Sequence, residues 1–286
     1  MPRRRPTRTL FVTGKGGAGK SLVAAALAQE AERHGMRVAL VDAVDAEDLT
    51  DLSGAPTPSK VEKVVLEPRL ALRHLLTRLL RFSFLSSRLM DSRTFSAVAA
   101  AAPGLSDLLR LDYLRELAHG RVRGRFDLLV VNAPASGHGV GLIEVPRKIA
   151  DVLPMGPAAA VARAAREFTA DRTGFRAVVV ALPEELSVAE TAELHGDLER
   201  LGVSVSPTVV NGVYPERAGT EQTDWLRKHS GSSDARLYIA RRERQLALLE
   251  EIASPQGPPV VLPYLFKGLT MSAADRSRLF EAVARD

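Results

Sequence analysis

Short, almost continuous apolar runs recur along the chain and alternate with longer segments in which apolar residues follow a helical spacing. Continuous apolarity is typical of strands that are covered on both faces, as in a parallel sheet. Ser21–His34 ends before a glycine, and Ser187–Leu201 begins with Ser187 and Glu190 at capping-box spacing, so both segments are predicted helices. The pattern predicts an α/β fold with a doubly wound, mostly parallel sheet and helices on both faces. The predicted strands are Thr9–Thr13, Arg37–Val41, Phe126–Val131, Arg176–Ala181, Ser206–Val210 and Pro259–Leu262.

The alternation breaks between about residue 61 and residue 120, where every pattern in the sequence is helical. Five leucines in this range fall at helical spacing and form one apolar stripe: Leu72, Leu75, Leu76, Leu79 and Leu80. We therefore predict a single domain over residues 1–286 with a helical insertion at about 61–120, after the second strand. Two interpretations of the insertion stay open. It caps one side of the sheet, or its apolar groove docks a partner such as an amphipathic or transmembrane helix.

The segment between the first predicted strand and the first predicted helix carries a phosphate-binding motif. Gly14, Gly19, Lys20 and Ser21 satisfy the pattern G-x-x-x-x-G-K-[ST], which is typical of a P-loop NTPase. Glycines let successive backbone N–H groups point at a phosphate, and the start of a helix adds favourable potential. In such loops the lysine reaches the β- and γ-phosphate oxygens, and the serine hydroxyl binds Mg²⁺. The predicted cofactors are ATP and Mg²⁺, held by Gly14, Lys15, Gly16, Gly17, Ala18, Gly19, Lys20 and Ser21, with Ser21 as the metal ligand.

Lys15 indicates which group of P-loop proteins this loop resembles. The run from Lys15 to Ser21 resembles the deviant Walker A motif of the ParA, MinD and ArsA group of P-loop ATPases. In that group the additional lysine crosses a dimer interface and touches the nucleotide of the partner. The resemblance therefore implies a nucleotide-sandwich dimer and places Lys15 among the candidate catalytic residues.

Other segments resemble the ArsA branch of this group. Phe126–His138 is similar to the strand and switch II loop of that branch, and Pro103–Leu105 falls where the branch has a Pro-Gly-apolar element. Pro146–Val152 resembles bacterial anion-transporting-ATPase-like proteins that occur as unequal pairs. The resemblance implies that the chain pairs with a complete homologue more readily than with itself.

The resemblance to the ArsA branch extends to the site of the base. Pro207–Glu216 resembles the strand whose terminal asparagine reads the adenine edge, which implies that role for Asn211. An amide suits it because it offers a donor and an acceptor to a base. Pro259–Leu269 resembles the loop that packs against the base, which implies base contacts for Pro263 and Tyr264.

Two positions depart from the ArsA pattern and bear on hydrolysis. Val44 falls where the branch carries the aspartate that orients the attacking water, and a valine cannot position a water. Asp45, after a one-residue shift of the loop, and Asp42, by holding Mg²⁺ through water, are the alternative candidate catalytic carboxylates. Asn132 falls at the Walker B aspartate, where an amide accepts a hydrogen bond from a metal-bound water but adds no negative charge. The two departures together predict weak or absent hydrolysis.

Composition excludes several functions that the family otherwise suggests. The chain has no cysteine, which excludes disulfides, the thiolate metalloid site of the arsenite pump and the Cys-x-x-Cys zinc clasp of the tail-anchor targeting factor. No run of about 20 uncharged apolar residues occurs, so we predict no integral membrane segment and expect the cytoplasm as the compartment. The formal charge is +5 at pH 7, and we interpret basic clusters such as Arg241, Arg242 and Arg244 as solvated surface.

Three functional hypotheses follow from the sequence. The leading hypothesis is an ATP-binding, nucleotide-dependent dimerisation switch that hydrolyses ATP weakly or not at all alone and forms a heteromeric ATPase complex with a complete homologue. The second is an active homodimeric ATPase that uses Asp45 or Asp42. The third is a ParA-like DNA-associated switch whose binding weakens steeply with salt. Because the chain has no basic stripe with interleaved aromatic residues, we do not expect nucleic acid as a partner.

Overall fold

The structure of the chain is a computed structural model that describes residues 7–43, 60–80, 104–134, 136–153, 155–229, 232–266 and 271–284. The strands are β1 (Arg8–Gly14), β2 (Val38–Asp42), β3 (Glu62–Val65), β4 (Leu128–Asn132), β5 (Phe175–Ala181), β6 (Ser204–Val205), β7 (Val209–Val213) and β8 (Val260–Pro263). The helices are α1 (Lys20–Arg33), α2 (Pro68–Leu80), α3 (Leu105–Ala118), α4 (Ser136–Val152), α5 (Pro157–Ala170), α6 (Glu185–Arg200), α7 (Thr220–His229), α8 (Ser233–Glu251) and α9 (Ala273–Val283). None of these described helices is both long and apolar enough to cross a bilayer.

The strands form one sheet in which every pair is parallel. The spatial order is β3-β2-β4-β1-β5-β7-β8, and β6 pairs with the start of β5. The first strand therefore lies inside the sheet, because β2, β3 and β4 form the part on one side of it and β5 to β8 form the part on the other side. In such a sheet the carboxyl ends of the strands beside the reversal point leave a crevice where ligands bind. This topology confirms the predicted doubly wound, mostly parallel fold.

Strand β1 shows why the predicted strands are almost continuously apolar. Phe11 belongs to a core cluster shared with helices α2 to α6, whereas Leu10 and Val12 belong to a second cluster shared with α1 and α9. Successive side chains of a strand point to opposite faces, so each face of β1 is covered by helices. Since Leu10, Phe11 and Val12 are all buried, no position on this part of the strand favours a polar residue.

Strand β7 begins later than the sequence predicted. The apolar pattern placed a strand at Ser206–Val210, whereas the observed strand covers Val209–Val213. Ser206 donates its backbone N–H to the Ala177 carbonyl, and Pro207 has no N–H to donate. The chain therefore passes from β6 to β7 through an irregular segment before the ladder resumes.

Helix α6 begins without the predicted capping box. The helix starts at Glu185 with Glu184 as the N-cap residue, so Ser187 lies inside its first turn. The buried Ser187 hydroxyl instead accepts a hydrogen bond of 3.1 Å from the backbone N–H of Leu182. The spacing of Ser187 and Glu190 was misread because a hydroxyl near a helix start bonds either to the helix or to the preceding loop.

The predicted helical insertion begins with a strand. Residues 62–65 form β3, which pairs in parallel with β2, so the expectation of helices alone from about 61 is wrong at this point. Only Val64 of β3 is fully buried, because β3 is the edge strand of the described sheet and its run is too short to stand out in the sequence. Helices α2 and α3 follow within the predicted range, and Leu72 is buried in the core. Phe82, Phe84 and Leu85 lie outside the described residues.

A buried network of charges joins α2 to α3. Asp112 and Glu116 on α3 both bind Arg78 of α2 at 2.9 Å, and Glu116 also binds Arg115 at 2.6 Å and Arg121 at 2.8 Å. Burial opposes the charged form of Glu116, but the three arginines outweigh it, so the pKa of Glu116 lies below its ordinary value. A buried carboxylate that loses such partners is strongly destabilising, which fixes the pairing of the two helices.

Candidate functional site

The predicted phosphate-binding loop connects β1 to α1 at the reversal point of the sheet. Gly14 ends β1 with φ 147°, and a Cβ at this position would lie 2.1 Å from the carbonyl oxygen of Val180 on β5. Gly19 precedes α1 with φ 92°, and a Cβ there would lie 2.2 Å from Nδ2 of Asn211. Both glycines are therefore required by close approach of neighbouring groups as well as by backbone conformation.

The predicted adenine-binding residues lie together beside this loop. Asn211 is on β7, and its Nδ2 donates a hydrogen bond of 3.0 Å to the Ala18 carbonyl oxygen. Pro263 ends the neighbouring strand β8, and the backbone N–H of Tyr264 donates to the Val213 carbonyl at 2.7 Å. The structure thus places Asn211 in the middle of β7 and Pro263 and Tyr264 at the carboxyl end of the adjacent strand β8.

The Lys20 side chain bonds back to the start of the phosphate loop. Its Nζ donates a hydrogen bond of 3.1 Å to the backbone carbonyl oxygen of Lys15. Burial lowers the pKa of the Lys20 ammonium below its ordinary value, because desolvation opposes the charged form. An anion placed in the loop would restore that lost solvation, which suits a phosphate group.

Lys15 points away from the loop and towards helix α6. Its Nζ lies 3.3 Å from Oε1 of Glu190. The sequence predicts only a capping-box role for Glu190, and nothing in its local pattern marks it as a partner of Lys15. The contact arises because α6 follows β5, the strand that lies directly beside β1.

Asp42 and Asn132 meet next to Ser21 at the ends of adjacent strands. They are register partners on β2 and β4, and Nδ2 of Asn132 donates a hydrogen bond of 2.9 Å to Oδ1 of Asp42. The same Nδ2 lies 3.1 Å from Oγ of Ser21 and donates to it. Burial raises the pKa of Asp42, although the bond from Asn132 and the positive charge of Lys63 oppose the shift. Lys63, on β3, is a member of this site that the sequence did not reveal.

The side-chain oxygen of Asn132 is suited to a metal-bound water. Because Nδ2 of Asn132 faces the carboxylate of Asp42, its Oδ1 must point elsewhere, and it is buried without a hydrogen-bond partner among the described residues. A water bound to Mg²⁺ is a donor and would satisfy this oxygen. Ser21, Asn132 and Asp42 therefore fit a magnesium ion in their chemistry. Val44 and the candidate base Asp45 lie outside the described residues.

An aromatic cluster that the sequence did not predict adjoins Tyr264. The ring of Phe266 lies 4.8 Å from that of Tyr264, and Tyr214 lies 5.2 Å from Tyr264. The guanidinium of Arg217 stacks 4.3 Å from the centre of the Phe266 ring. Tyr264 and Phe266 remain 45% and 47% exposed, so solvent reaches both side chains. The sequence marks these residues only by position. They fall within or next to Pro207–Glu216 and Pro259–Leu269, the two segments that resemble base-binding segments of the ArsA branch.

Comparison with known proteins finds one matching family model and several ATPases among the relatives. The model of the anion-transporting ATPase family matches residues 7–169 and 157–254. The chain is 28% identical over 247 residues to the ATPase BagA of Mycobacterium tuberculosis, covering 80% of this chain and 71% of the relative. It is 23% identical over 242 residues to an arsenical pump-driving ATPase of Escherichia coli, covering 76% of this chain and 41% of that protein. A similar pump-driving ATPase of Acidiphilium multivorum is 23% identical over 230 residues, 72% of this chain and 40% of the relative.

Proposed function

The chain belongs to the anion-transporting ATPase family of ArsA-like P-loop proteins, and on that premise we propose that it is a nucleotide-dependent dimerisation switch. In this proposal it binds ATP with Mg²⁺, hydrolyses it weakly or not at all alone, and forms a heteromeric ATPase complex with a complete homologue. The cytoplasm as its compartment stays a prediction.

One observation carries the proposal that binding and hydrolysis are separated. The group nearest Ser21 on the metal side is the Asn132 amide, which donates to the serine hydroxyl and to Asp42. A carboxylate at this position would accept hydrogen bonds and add negative charge beside the cation. The Asn132 amide donates to Ser21 and carries no negative charge. The phosphate loop, by contrast, keeps every residue of its motif. This combination favours a protein that holds ATP and depends on another subunit for turnover.

The residues that would hold the bound groups follow from the site. The backbone N–H groups of Gly14–Ser21 and the Lys20 ammonium would bind the phosphates, and Asn211 and Tyr264 would take the adenine. The Ser21 hydroxyl would bind Mg²⁺, and Asn132 Oδ1 and Asp42 would accept hydrogen bonds from waters bound to the ion. The ion would neutralise phosphate charge. In the dimer, Lys15 would contact the nucleotide of the partner.

The direct test is ATP binding and hydrolysis by the purified chain in the presence and absence of Mg²⁺. We expect calorimetry to show Mg²⁺-dependent ATP binding that Lys20→Ala strongly weakens, together with negligible phosphate release at enzyme concentrations where binding is saturated. Robust turnover by the chain alone, abolished in Lys20→Ala, would contradict the impaired-subunit proposal.

The position of Asp42 favours a second candidate function, an active homodimeric ATPase. Asp42 places a carboxylate one strand away from the usual Walker B position, and it already binds Asn132 beside Ser21. If Asp42 supplies the missing charge, the chain alone hydrolyses ATP and Asp42→Asn removes the turnover without removing ATP binding. Asp45→Asn is the matched variant for the other carboxylate, and loss of turnover there alone would assign the role to Asp45.

A further inference from the structure

The ion pair between Lys15 and Glu190 is partly withdrawn from solvent. Their side chains are 31% and 43% exposed, and the ammonium lies 3.3 Å from Oε1 of Glu190. The second carboxylate oxygen, Oε2, is buried and has no hydrogen-bond partner among the described residues. Glu190 therefore directs one oxygen at Lys15 and holds the other out of water, an arrangement that makes Lys15 its principal counter-charge.

The fold holds Glu190 in place relative to the phosphate loop. Helix α6 starts directly after β5, and its first turn is tied to the preceding loop by the bond from the Leu182 N–H to Ser187. Lys15 follows the last residue of β1, whose neighbour in the sheet is β5. Since both residues follow adjacent strands, the fold places their backbones close enough for the two side chains to meet.

We propose that Glu190 is a positioning residue that holds Lys15 within its own chain and releases it to phosphate oxygens when Mg²⁺–ATP binds. A carboxylate and a phosphate compete for the same ammonium, and the phosphate offers more negative charge and more acceptor oxygens. The inference rests on the proposed function, because Lys15 has an alternative partner only if a nucleotide is bound, the chain's own in the monomer or the partner's in a dimer. It adds to that function a contact that sets how readily the lysine becomes available.

The ion pair between Lys15 and Glu190, called the latch from here on, is a weak interaction. Partly exposed ion pairs shift an equilibrium by about two- to fivefold, so Glu190 disfavours the transfer of Lys15 to phosphate by that factor without preventing it. Removing the charge at Glu190 should therefore lower the ATP concentration needed to move Lys15 by the same factor. A larger effect would point to a change in the fold of the loop rather than to the loss of one contact.

The test follows the Lys15 ammonium itself. Lysines of the full chain are reductively ¹³C-methylated, which keeps their charge, and the Lys15 signal is assigned by its absence from Lys15→Arg. Without nucleotide, we expect Glu190→Gln to move the Lys15 signal, Glu190→Asp to preserve it, and Glu193→Gln to leave it unchanged. Glu193 is the matched control because it is an exposed acid on the same helix. An unchanged Lys15 signal in Glu190→Gln would overturn the proposal.

Titration with Mg²⁺–ATP tests the release. The Lys15 signal of the wild-type chain should move as ATP binds, with a midpoint about two- to fivefold higher than in Glu190→Gln. If calorimetry shows saturated ATP binding while Lys15 stays at its nucleotide-free position, the latch does not release and the proposal is overturned. A change in the Lys15 midpoint that Glu193→Gln reproduces would also overturn it.

Sedimentation velocity on the same samples separates this inference from the proposed function. If Lys15 leaves Glu190 on ATP binding while the chain stays monomeric, the latch is supported and acts towards the chain's own nucleotide. The chain's dimerisation with itself is then excluded, and the proposed switch depends on the homologous subunit. If calorimetry detects no ATP binding at all, the proposed function and the latch are both overturned.

Discussion

The two sides of the candidate site are built in different ways. The phosphate side is one contiguous segment, Gly14–Ser21, that links a strand to a helix. The metal side joins Asp42 and Asn132, which are 90 residues apart in the chain and meet only because β2 and β4 are neighbours. The first side keeps the full motif of a phosphate loop, whereas the second carries an amide at the position predicted for the Walker B carboxylate of P-loop NTPases.

This difference teaches that binding and hydrolysis depend on different chemistry. In a phosphate loop the binding groups are mainly backbone N–H groups, so the sequence needs glycine wherever neighbours approach closely. On the metal side the binding groups are side chains, so replacing one oxygen by an NH₂ group turns an acceptor into a donor towards Ser21. Under the proposed function, one substitution on the metal side would weaken hydrolysis and leave ATP binding intact.

The strongest test of the phosphate side is Gly14→Ala. A Cβ here meets the Val180 carbonyl at 2.1 Å, so we expect a loss of about 4 kcal/mol in the free energy of unfolding, from overpacking and backbone strain together. Gly35→Ala is the control, since Gly35 also has a positive φ but open space around it, and should lose only about 1 kcal/mol. Urea denaturation measures both, and equal losses would show that close approach to β5 is unimportant.

Lys20→Ala should lower ATP affinity by about a hundredfold, because the variant removes a charged hydrogen-bond donor from a partly desolvated loop. Lys63→Ala is the matched change on the metal side, where Lys63 acts on Asp42 through charge alone, and should cost only about two- to threefold. Calorimetric titration with Mg²⁺–ATP compares them. Similar losses of ATP affinity in Lys20→Ala and Lys63→Ala would show that the phosphate side does not contribute more to ATP binding than the metal side.

Asn132→Asp should raise Mg²⁺-dependent ATP turnover by about tenfold, because it restores a charged acceptor beside Ser21. ATP affinity should change much less, since the phosphate loop is untouched. Asn132→Ala serves as the control that removes the amide without adding charge, and it should not gain turnover. If Asn132→Asp binds ATP yet hydrolyses it no faster than the wild-type chain, the amide is not what limits hydrolysis.

The smallest expected effect is the pH dependence of the metal side. Because burial raises the pKa of Asp42 above its unfolded value of 3.8, the native chain binds more protons in the window between the two values. The contribution of Asp42 to the free energy of unfolding therefore decreases as pH rises through that window. Mg²⁺ affinity responds in the opposite sense, since only the charged carboxylate attracts the cation, and it should fall a few-fold as pH drops through the raised pKa.

Asp42→Asn should flatten both dependences, which urea denaturation and Mg²⁺ titration at a series of pH values measure. Asp127→Asn, at the opposite end of β4, is the control and should leave the Mg²⁺ titration unchanged. An unaltered pH dependence in Asp42→Asn would assign it to another group.

The sequence predicted those parts of the structure that depend on local pattern. Strand β1 and helix α1 lie within one residue of their predicted bounds, and the glycine motif falls between them. Strand β3 was missed because only one of its residues is fully buried, and the role of Ser187 was misread because two local hydrogen bonds compete for its hydroxyl. The effect of Asn132 on hydrolysis stays a prediction from its place in the motif, and the direction of its hydrogen bonds came only from the structure.

By itself the sequence determined that this protein has a buried parallel sheet and a phosphate loop, because burial on two faces and close backbone packing restrict residue type at each position. Only the tertiary structure decided which side chains from distant segments meet. Asp42 with Asn132, Lys15 with Glu190 and Asn211 with Ala18 are contacts between segments that no spacing along the chain relates. The order of strands in the sheet sets those contacts, and strand order depends on how whole elements pack rather than on the pattern within any one of them.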